Sequence, residues 1–244
     1  MAGWTLDAQH QELAEDFGSL DAVFALRGEQ VTKDSMSDVI RIERSGVRYY
    51  VKRYYSAGKG LRSFLGRPRV KAEWQNLKCF AKWGIATAPI VAYGLERCCG
   101  QFVRGALITR ELANTQDMAL LANVTDTRLL DPAWVDEVSA QLAQVTRILH
   151  DHHFTHNDLK WRNLLVNEHG KLFLIDCPTG SFWWGPLLRY RIIKDLACLD
   201  KVAKYKLSRS QRLRFYLQYR GRCSLNASDK RRILKILRFF EGRE

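Results

Sequence analysis

The chain has 244 residues, 46% of them hydrophobic, which is long enough to bury a sizeable core as one domain or a compact two-lobed one. It carries 39 Lys and Arg against 26 Asp and Glu, a formal charge of +13 that points to a polyanionic partner: nucleic acid, an anionic membrane surface or a phosphorylated substrate. No apolar run approaches the length of about eighteen residues that a membrane span needs, and the start Met1-Ala2-Gly3-Trp4 is not a signal peptide. The six cysteines lack paired CxxC spacing, so reduced thiols and a cytoplasmic protein without a zinc site are expected.

Leu6, Leu13 and Phe17, with acids between them and Gly18 behind, predict a short amphipathic helix over residues 5–17. From Gln30 the hydrophobic period becomes two. Val39, Ile40 and Ile42, then Val47, Tyr49, Tyr50 and Val51, with Ser45-Gly46 between, predict a β-hairpin, and Glu29 to Lys33 add an earlier strand. The turn Lys33-Asp34-Ser35-Met36-Ser37-Asp38 contains no glycine. Lys52 closes the third strand on the face of Tyr50, and Glu73 opens a helix with Trp74, Leu77 and Phe80 along one side. Residues 59–69 form a basic loop with apolar Leu61, Phe64 and Leu65, readable either as a grip on phosphates or a membrane, or as a solvated loop tucking those side chains inward. Pro89 to Leu95 and Phe102 to Thr109 bring the sheet to five strands. The polar stretch beginning at Arg110 then sets a boundary between residues 1–112 and residues 113–244. Asp131-Pro132 is a helix start, and Val138, Leu142, Val145 and Leu149 carry that helix to about His150. His150, His152, His153 and His156 straddle the helix end and complete no metal site.

The densest signal follows. His156-Asn157-Asp158 precedes Asn163, five residues after Asp158, and the apolar strand Leu172 to Ile175 ends in Asp176, eighteen residues after Asp158. This resembles a kinase catalytic loop and metal site, with Lys52 and Glu73 upstream in kinase order. The resemblance implies an α+β, two-lobed protein-kinase-like fold: an N-terminal five-stranded antiparallel sheet with one main helix, and a mainly helical C-terminal lobe. It implies that Asp158 accepts or orients the acceptor hydroxyl, that Asn163 and Asp176 hold Mg²⁺, and that Lys52, held by Glu73, contacts ATP phosphates. Lys160 is placed to offset charge at the γ-phosphate, and His156 to orient the loop. Glu111 and Leu112 sit where backbone groups would meet adenine. Ser35, Ser37 or nearby amides would meet the phosphates in place of a glycine-rich turn.

Four stretches narrow the likeness: Tyr49-Tyr50-Val51-Lys52-Arg53-Tyr54, Gly66-Arg67-Pro68-Arg69 with Glu73-Trp74, Gly84-Ile85-Ala86-Thr87-Ala88-Pro89, and His156-Asn157-Asp158-Leu159-Lys160. On these the chain, over residues 20–200, resembles the bacterial lipopolysaccharide core kinases, which phosphorylate heptose or Kdo sugars. The resemblance implies ATP- and Mg²⁺-dependent transfer to a lipopolysaccharide core glycolipid or oligosaccharide, to heptose in preference to Kdo, at the inner face of the inner membrane. Two departures stand out. Asn157 replaces the arginine through which many protein kinases sense a phosphorylated loop, and Cys177-Pro178 follows Asp176 where Phe-Gly would stand. Asp195, the acid expected to brace the catalytic loop, comes only nineteen residues after Asp176, which leaves little room to dock a peptide and favours a glycan. Ser181 to Pro186 offers aromatic surface suited to sugar stacking or to buried packing. Residues 201–244 carry fourteen Lys or Arg against three acids. Their last helix, beginning at Ser228-Asp229, is expected to dock Ile233, Leu237 and Phe240 and leave cations to draw the chain towards an anionic membrane. Two other readings stay open: a small atypical protein kinase or ATPase, and a non-catalytic kinase-like module holding anionic lipid or, less favoured, nucleic acid.

Overall fold

The computed structural model describes residues 2–57 and 66–242. They form two compact units, Met1–Lys82 with Thr87–Leu112, and Trp83–Ala86 with Ala113–Glu244. Of the basic loop at 59–69, residues 59–65 lie outside the described residues.

The first unit runs β1 (Ala2–Leu6), a 3-10 segment Ala8–Leu13, α1 (Ala14–Phe17), α2 (Leu20–Ala25), β2 (Glu29–Lys33), β3 (Ser37–Arg44), β4 (Val47–Tyr54), α3 (Arg69–Lys82), β5 (Ile90–Cys98) and β6 (Gln101–Arg110). All six strands join one antiparallel sheet in the order β1-β5-β6-β4-β3-β2. This corrects the expected five strands and the expected helix over 5–17. Ala2–Leu6 alternates in the period of a strand, turning Trp4 and Leu6 onto the core, and it pairs Trp4 with Gly94 of β5. A Cβ on Gly94 would sit 2.2 Å from the Gly3 carbonyl oxygen, so a glycine is what lets the extra strand close on the edge. The Trp4 indole then donates to the Phe17 carbonyl at 2.7 Å, and only the short α1 remains of the helix. At the β3–β4 hairpin Ser45 and Gly46 both have positive φ, 50° and 74°, as a two-residue turn of matching twist requires.

One face of this sheet buries Val51, Val91 and Ile108 with Phe17 and Val23 of α1 and α2. α3 contributes Val70, Trp74, Leu77 and Phe80 as its buried stripe. Side chains of that size are each worth about 1.5–3 kcal/mol when fully buried, enough to hold the helix in register.

The second unit runs β7 (Thr115–Asp117), α4 (Met118–Asn123), a 3-10 segment Thr127–Leu130, α5 (Pro132–Asp151), β8 (Phe154–Thr155), a 3-10 segment Trp161–Asn163, β9 (Leu164–Asn167), β10 (Leu172–Leu174), β11 (Ser181–Phe182), α6 (Gly185–Lys206), α7 (Arg209–Arg220) and α8 (Ala227–Leu237). Its strands make a three-stranded sheet, β10-β9-β7, and a small β11-β8 ladder. α5 starts where the sequence predicts, with Asp131 accepting from the Ala133 amide and Pro132 in the first turn. Ala143, Leu196, Ala197, Tyr216, Tyr219 and Ile236 form the helical core, and Ile233 and Phe240 pack on it. Asn226 and Asp229 cap α8 reciprocally, and the buried Asp229 also meets Tyr216, Arg220 and Arg222. Leu237, expected to dock, lines an apolar cavity of this unit but stays 48% exposed, and Ile236 takes the buried position. No described helix is long and apolar enough to cross a membrane.

Candidate active site

The strand alternation of β4 decides what each of its residues meets. Tyr49 and Val51 enter the core beside Phe17, and Arg53 on the same face donates to the Phe24 and Leu26 carbonyls at 3.2 and 3.1 Å. Lys52 and Tyr54 turn the other way, to Glu73 of α3. The Lys52 ammonium lies 3.0 Å from Glu73 Oε1, and the Tyr54 hydroxyl donates to Glu73 Oε2. Glu73 is only 4% exposed, so its charge is compensated inside the fold by a cation and a hydroxyl. Tyr54 is absent from the sequence-derived site. Its position two residues past Lys52 on a strand puts both on one face and is the signal that could have found it.

The turn between β2 and β3 is shaped by its own carboxylate. Asp34 Oδ1 accepts from the amides of Met36 and Ser37 at 2.7 and 2.8 Å and from the Ser37 hydroxyl at 3.5 Å. These bonds, the Met36 amide first, hold the Asp34 carboxyl below its usual pKa. A phosphate seeking Ser37 or these amides must therefore displace Asp34, whereas Ser35 stays exposed at the tip. At the end of β6 the Glu111 amide donates to the Arg48 carbonyl at 2.9 Å, and the Glu111 carboxylate accepts from the Tyr50 hydroxyl at 3.1 Å. A purine edge here would take the Glu111 carbonyl rather than its amide, with Leu112 next along the chain.

In the second unit the residues from Thr155 to Asp176 form one hydrogen-bonded assembly. Asp195 of α6, fully buried, accepts from the amides of His156 and Asn157, both at 2.8 Å. That is the brace expected from the spacing. His156 is itself fully buried, and desolvation keeps its pKa below the ordinary histidine value against the pull of Asp195, Asp176 and Asp158, so it is a neutral structural ring. Asp158 contributes its carbonyl to the Lys160 amide at 2.9 Å and to the Asn163 side-chain amide at 2.8 Å. Its carboxylate faces outward, with Lys160 Nζ 2.6 Å from Oδ1 and an Arg162 nitrogen 3.8 Å from Oδ2. The Asn163 carbonyl takes the Ile175 amide at 3.0 Å, tying the strand that leads to Asp176 onto the same loop.

Asn157 and Asp176 both lie at positive φ, 65° and 56°. Such left-handed positions are tolerated by Asn and Asp better than by most residues, but they persist only where the surroundings enforce them. Asn157 shows how. Its side-chain Nδ2 donates to the Thr179 carbonyl at 2.8 Å, and its Oδ1 accepts from Thr155 Oγ1 at 3.2 Å and from Arg191 at 3.4 Å. The residue that replaces the kinase arginine is thus a clasp between the catalytic loop and the segment after Asp176. That segment is further pinned by Thr179 donating to the His156 carbonyl, by β11 pairing with β8, and by the Trp183 amide on the His153 carbonyl. The other histidines have structural employment: His150 Nδ1 lies 2.8 Å from the Tyr219 hydroxyl, and His152 stacks on Trp83.

The oxygens suit Mg²⁺. The Asn163 nitrogen is committed to Asp158, which turns the amide oxygen to the other side, and Asp176 adds a carboxylate. Both are hard donors of the kind Mg²⁺ takes together with phosphate oxygens and water. Among the described residues no group of three or more His, Cys, Asp or Glu side chains could hold a metal ion. Lys52 with Glu73 and Tyr54 are brought together in the first unit, and Asp158 with Lys160 and Asn163 in the second. Tyr54, Asp34 and Asn157 are the polar residues whose part the sequence did not disclose.

Comparison with known proteins adds two findings. A family model described as the lipopolysaccharide kinase (Kdo/WaaP) family matches residues 21–219, most of the chain. A solved structure described as WaaP in complex with acyl carrier protein superposes with a TM-score of 0.75, covering 99% of this chain and 97% of that one at 24% identity, a likeness of fold. The curated proteins provide no match.

Proposed function

The chain belongs to the lipopolysaccharide kinase (Kdo/WaaP) family, and from this we propose that it transfers the γ-phosphoryl group of ATP to a heptose hydroxyl of the lipopolysaccharide inner core. Members of the family are lipopolysaccharide kinases, phosphotransferases acting on sugar hydroxyls with ATP as co-substrate. In the proposed division of labour residues 1–112 bind nucleotide and residues 113–244 carry the chemistry. Lys52, held by Glu73 and Tyr54, contacts the phosphates; Glu111 and Leu112 meet adenine through their backbone; Ser35 at the exposed tip is the remaining contact of the β2–β3 turn. Asp158 orients the acceptor hydroxyl and takes its proton as the bond to phosphorus forms, and Lys160 moves from Asp158 to the charge that develops on the γ-phosphate. Asn163 and Asp176 would hold Mg²⁺, which would supply positive charge to offset that of the phosphates.

The observation that carries a glycan acceptor, rather than a protein, is the clasp described above. Only residues 177–184 lie between Asp176 and α6, and Thr179, β11 and Trp183 fasten them to residues 153–157. No extended segment is left there on which a peptide would lie. Incubation with labelled ATP and dephosphorylated core glycolipid, followed by mass spectrometry, is expected to place one phosphate on heptose. Phosphate on Kdo would change the sugar, and label only on protein or as free phosphate would overturn the reading.

An acyl carrier protein is the proposed protein partner. The similar solved structure holds one, and the helical unit here contains an apolar cavity of about 540 Å³ lined by Trp134, Leu142, Trp161 and Leu199, with Arg209 and Arg212 among its residues. Such a cavity suits an acyl chain; Arg212 is held there by Asp200 at 2.7 Å, and Arg209 is exposed. An acylated carrier at about 100 times its Kd is expected to stabilise the chain by about 2.7 kcal/mol in thermal unfolding. The unacylated carrier should stabilise it far less, and equal shifts would remove the cavity from the interaction.

A further inference from the structure

We propose that the surface from Phe182 to Tyr190 is a docking site for an anionic phospholipid bilayer. It deepens the function just proposed and rests on it for its orientation, because an acceptor with a lipid anchor presents its sugars at a membrane surface.

Four large side chains here stay in solvent: Phe182 is 40% exposed, Trp184 67%, Leu187 58% and Tyr190 46%. Neighbouring Trp183 shows that exposure is not a property of the whole segment, since it lies over the Arg191 guanidinium at 4.6 Å and its amide is bonded to His153. The surface is also built rigidly. Phe182 meets Phe154 and Trp83 edge-on at 5.3 and 6.1 Å, and Tyr190 rests on Phe239 at 5.5 Å. Leu187 and Tyr190, three residues apart on α6, share a side of the helix. Tryptophan and tyrosine are the residues most at home between acyl chains and headgroups, with an apolar ring and a polar tip.

Charge selects the kind of bilayer. From Ser181 to Lys194 the chain has no acid, and its outward cations are the exposed Arg189 and the half-buried Lys194, Arg191 being taken inward by Trp183 and Asn157, within a chain of net charge +13. An anionic lipid surface meets both the aromatic and the cationic half of this pattern. Register then links it to the site. β11 pairs Phe182 with Phe154 and Ser181 with Thr155, immediately before His156 and Asp158, so Trp184 follows by two residues a strand paired to the one that enters this loop. The exposed Leu234 and Leu237 of α8 are a competing surface; Leu237 lines the apolar cavity, whereas Leu234 does not, and the α8 double variant tests the pair directly.

The full chain is tested by sedimentation with vesicles of phosphatidylcholine containing phosphatidylglycerol, at rising salt. The wild-type protein is expected to bind these vesicles, to bind pure phosphatidylcholine weakly, and to be released by salt. The double variant Trp184→Ser/Leu187→Ser should bind at least about tenfold more weakly, given the apolar area removed, while keeping the wild-type rate on delipidated core oligosaccharide. Leu234→Ser/Leu237→Ser should bind as wild type. Wild-type protein that ignores anionic vesicles, or a loss caused by the α8 variant and not by the α6 variant, would overturn the proposal. So would retained vesicle binding by the α6 variant with a raised KM for soluble oligosaccharide, which would assign the surface to sugar. Vesicle binding as described by a chain that phosphorylates no glycan would leave the surface standing and fell the kinase reading alone.

Discussion

Asp158→Asn is expected to lower phosphate transfer to core glycolipid by about 10²–10⁴-fold, the range over which a positioned general base contributes, with the thermal unfolding midpoint unchanged. The substitution keeps the side chain's size and removes its charge and its ability to take a proton. The loop has no need of that carboxylate for its shape: what it draws from Asp158 is the main-chain carbonyl, which accepts from the Lys160 amide and the Asn163 side chain and is untouched by the change. The carboxylate is about one-third exposed and its cationic neighbours, Lys160 and Arg162, are more exposed still, so losing the pairs costs little stability. The defect should therefore appear in kcat, with the KM for ATP close to wild type, in initial-rate measurements beside a melting curve. Wild-type turnover by this variant would remove Asp158 from the chemistry and leave it an ordinary loop anion.

What the sequence discloses of this molecule is set by how much chemistry each residue type carries. His156, Asp158, Asn163 and Asp176 are readable as a pattern because polar residues at fixed spacing beside apolar strands have few other uses, and Asp195 because it follows Asp176 at the spacing of a kinase's bracing acid. The β4 pattern discloses Lys52 because strand alternation fixes its face. Three features were hidden for physical reasons. β1 has only five residues, with Trp4 and Leu6 as its apolar pair, and its partner is recognised through Gly94, whose missing side chain has no periodic signature. The β2–β3 turn reads as a failed glycine-rich loop until Asp34 is seen filling the amides itself. Asn157 reads as the loss of an arginine, whereas the three hydrogen-bonded neighbours of its side chain, Thr155, Thr179 and Arg191, come from three different segments that no local pattern brings together.

Asp195→Ala tests the opposite kind of residue, one that touches no reactant and holds the site's shape. Both carboxylate oxygens are used, one for the His156 amide and one for the Asn157 amide, in a place with no solvent exposure. Alanine would strand two buried donors, each costing about 1–3 kcal/mol. A total of about 2–6 kcal/mol is a large fraction of the roughly 5–15 kcal/mol by which a domain is stable. The expected result is a clear fall in the urea midpoint. Asp195→Asn, whose single oxygen can accept from only one of the two amides well, should fall between alanine and wild type. Activity has a separate reason to drop. Asn157 is held at a φ of 65° by these bonds together with its own clasp to Thr179, and releasing the amide lets the backbone leave a conformation that L-residues seldom hold unaided. The Asp158 carboxylate is the next residue along. Its misplacement should lower kcat in the folded fraction of Asp195→Asn, measured well below the unfolding transition, while the KM for ATP stays near wild type. Asp158→Asn and Asp195→Asn would then share a kinetic defect and differ in stability. If Asp195→Asn instead melted and turned over as the wild type does, the buried carboxylate would be dispensable and the strained Asn157 would owe its conformation to the Thr179 and Arg191 contacts alone.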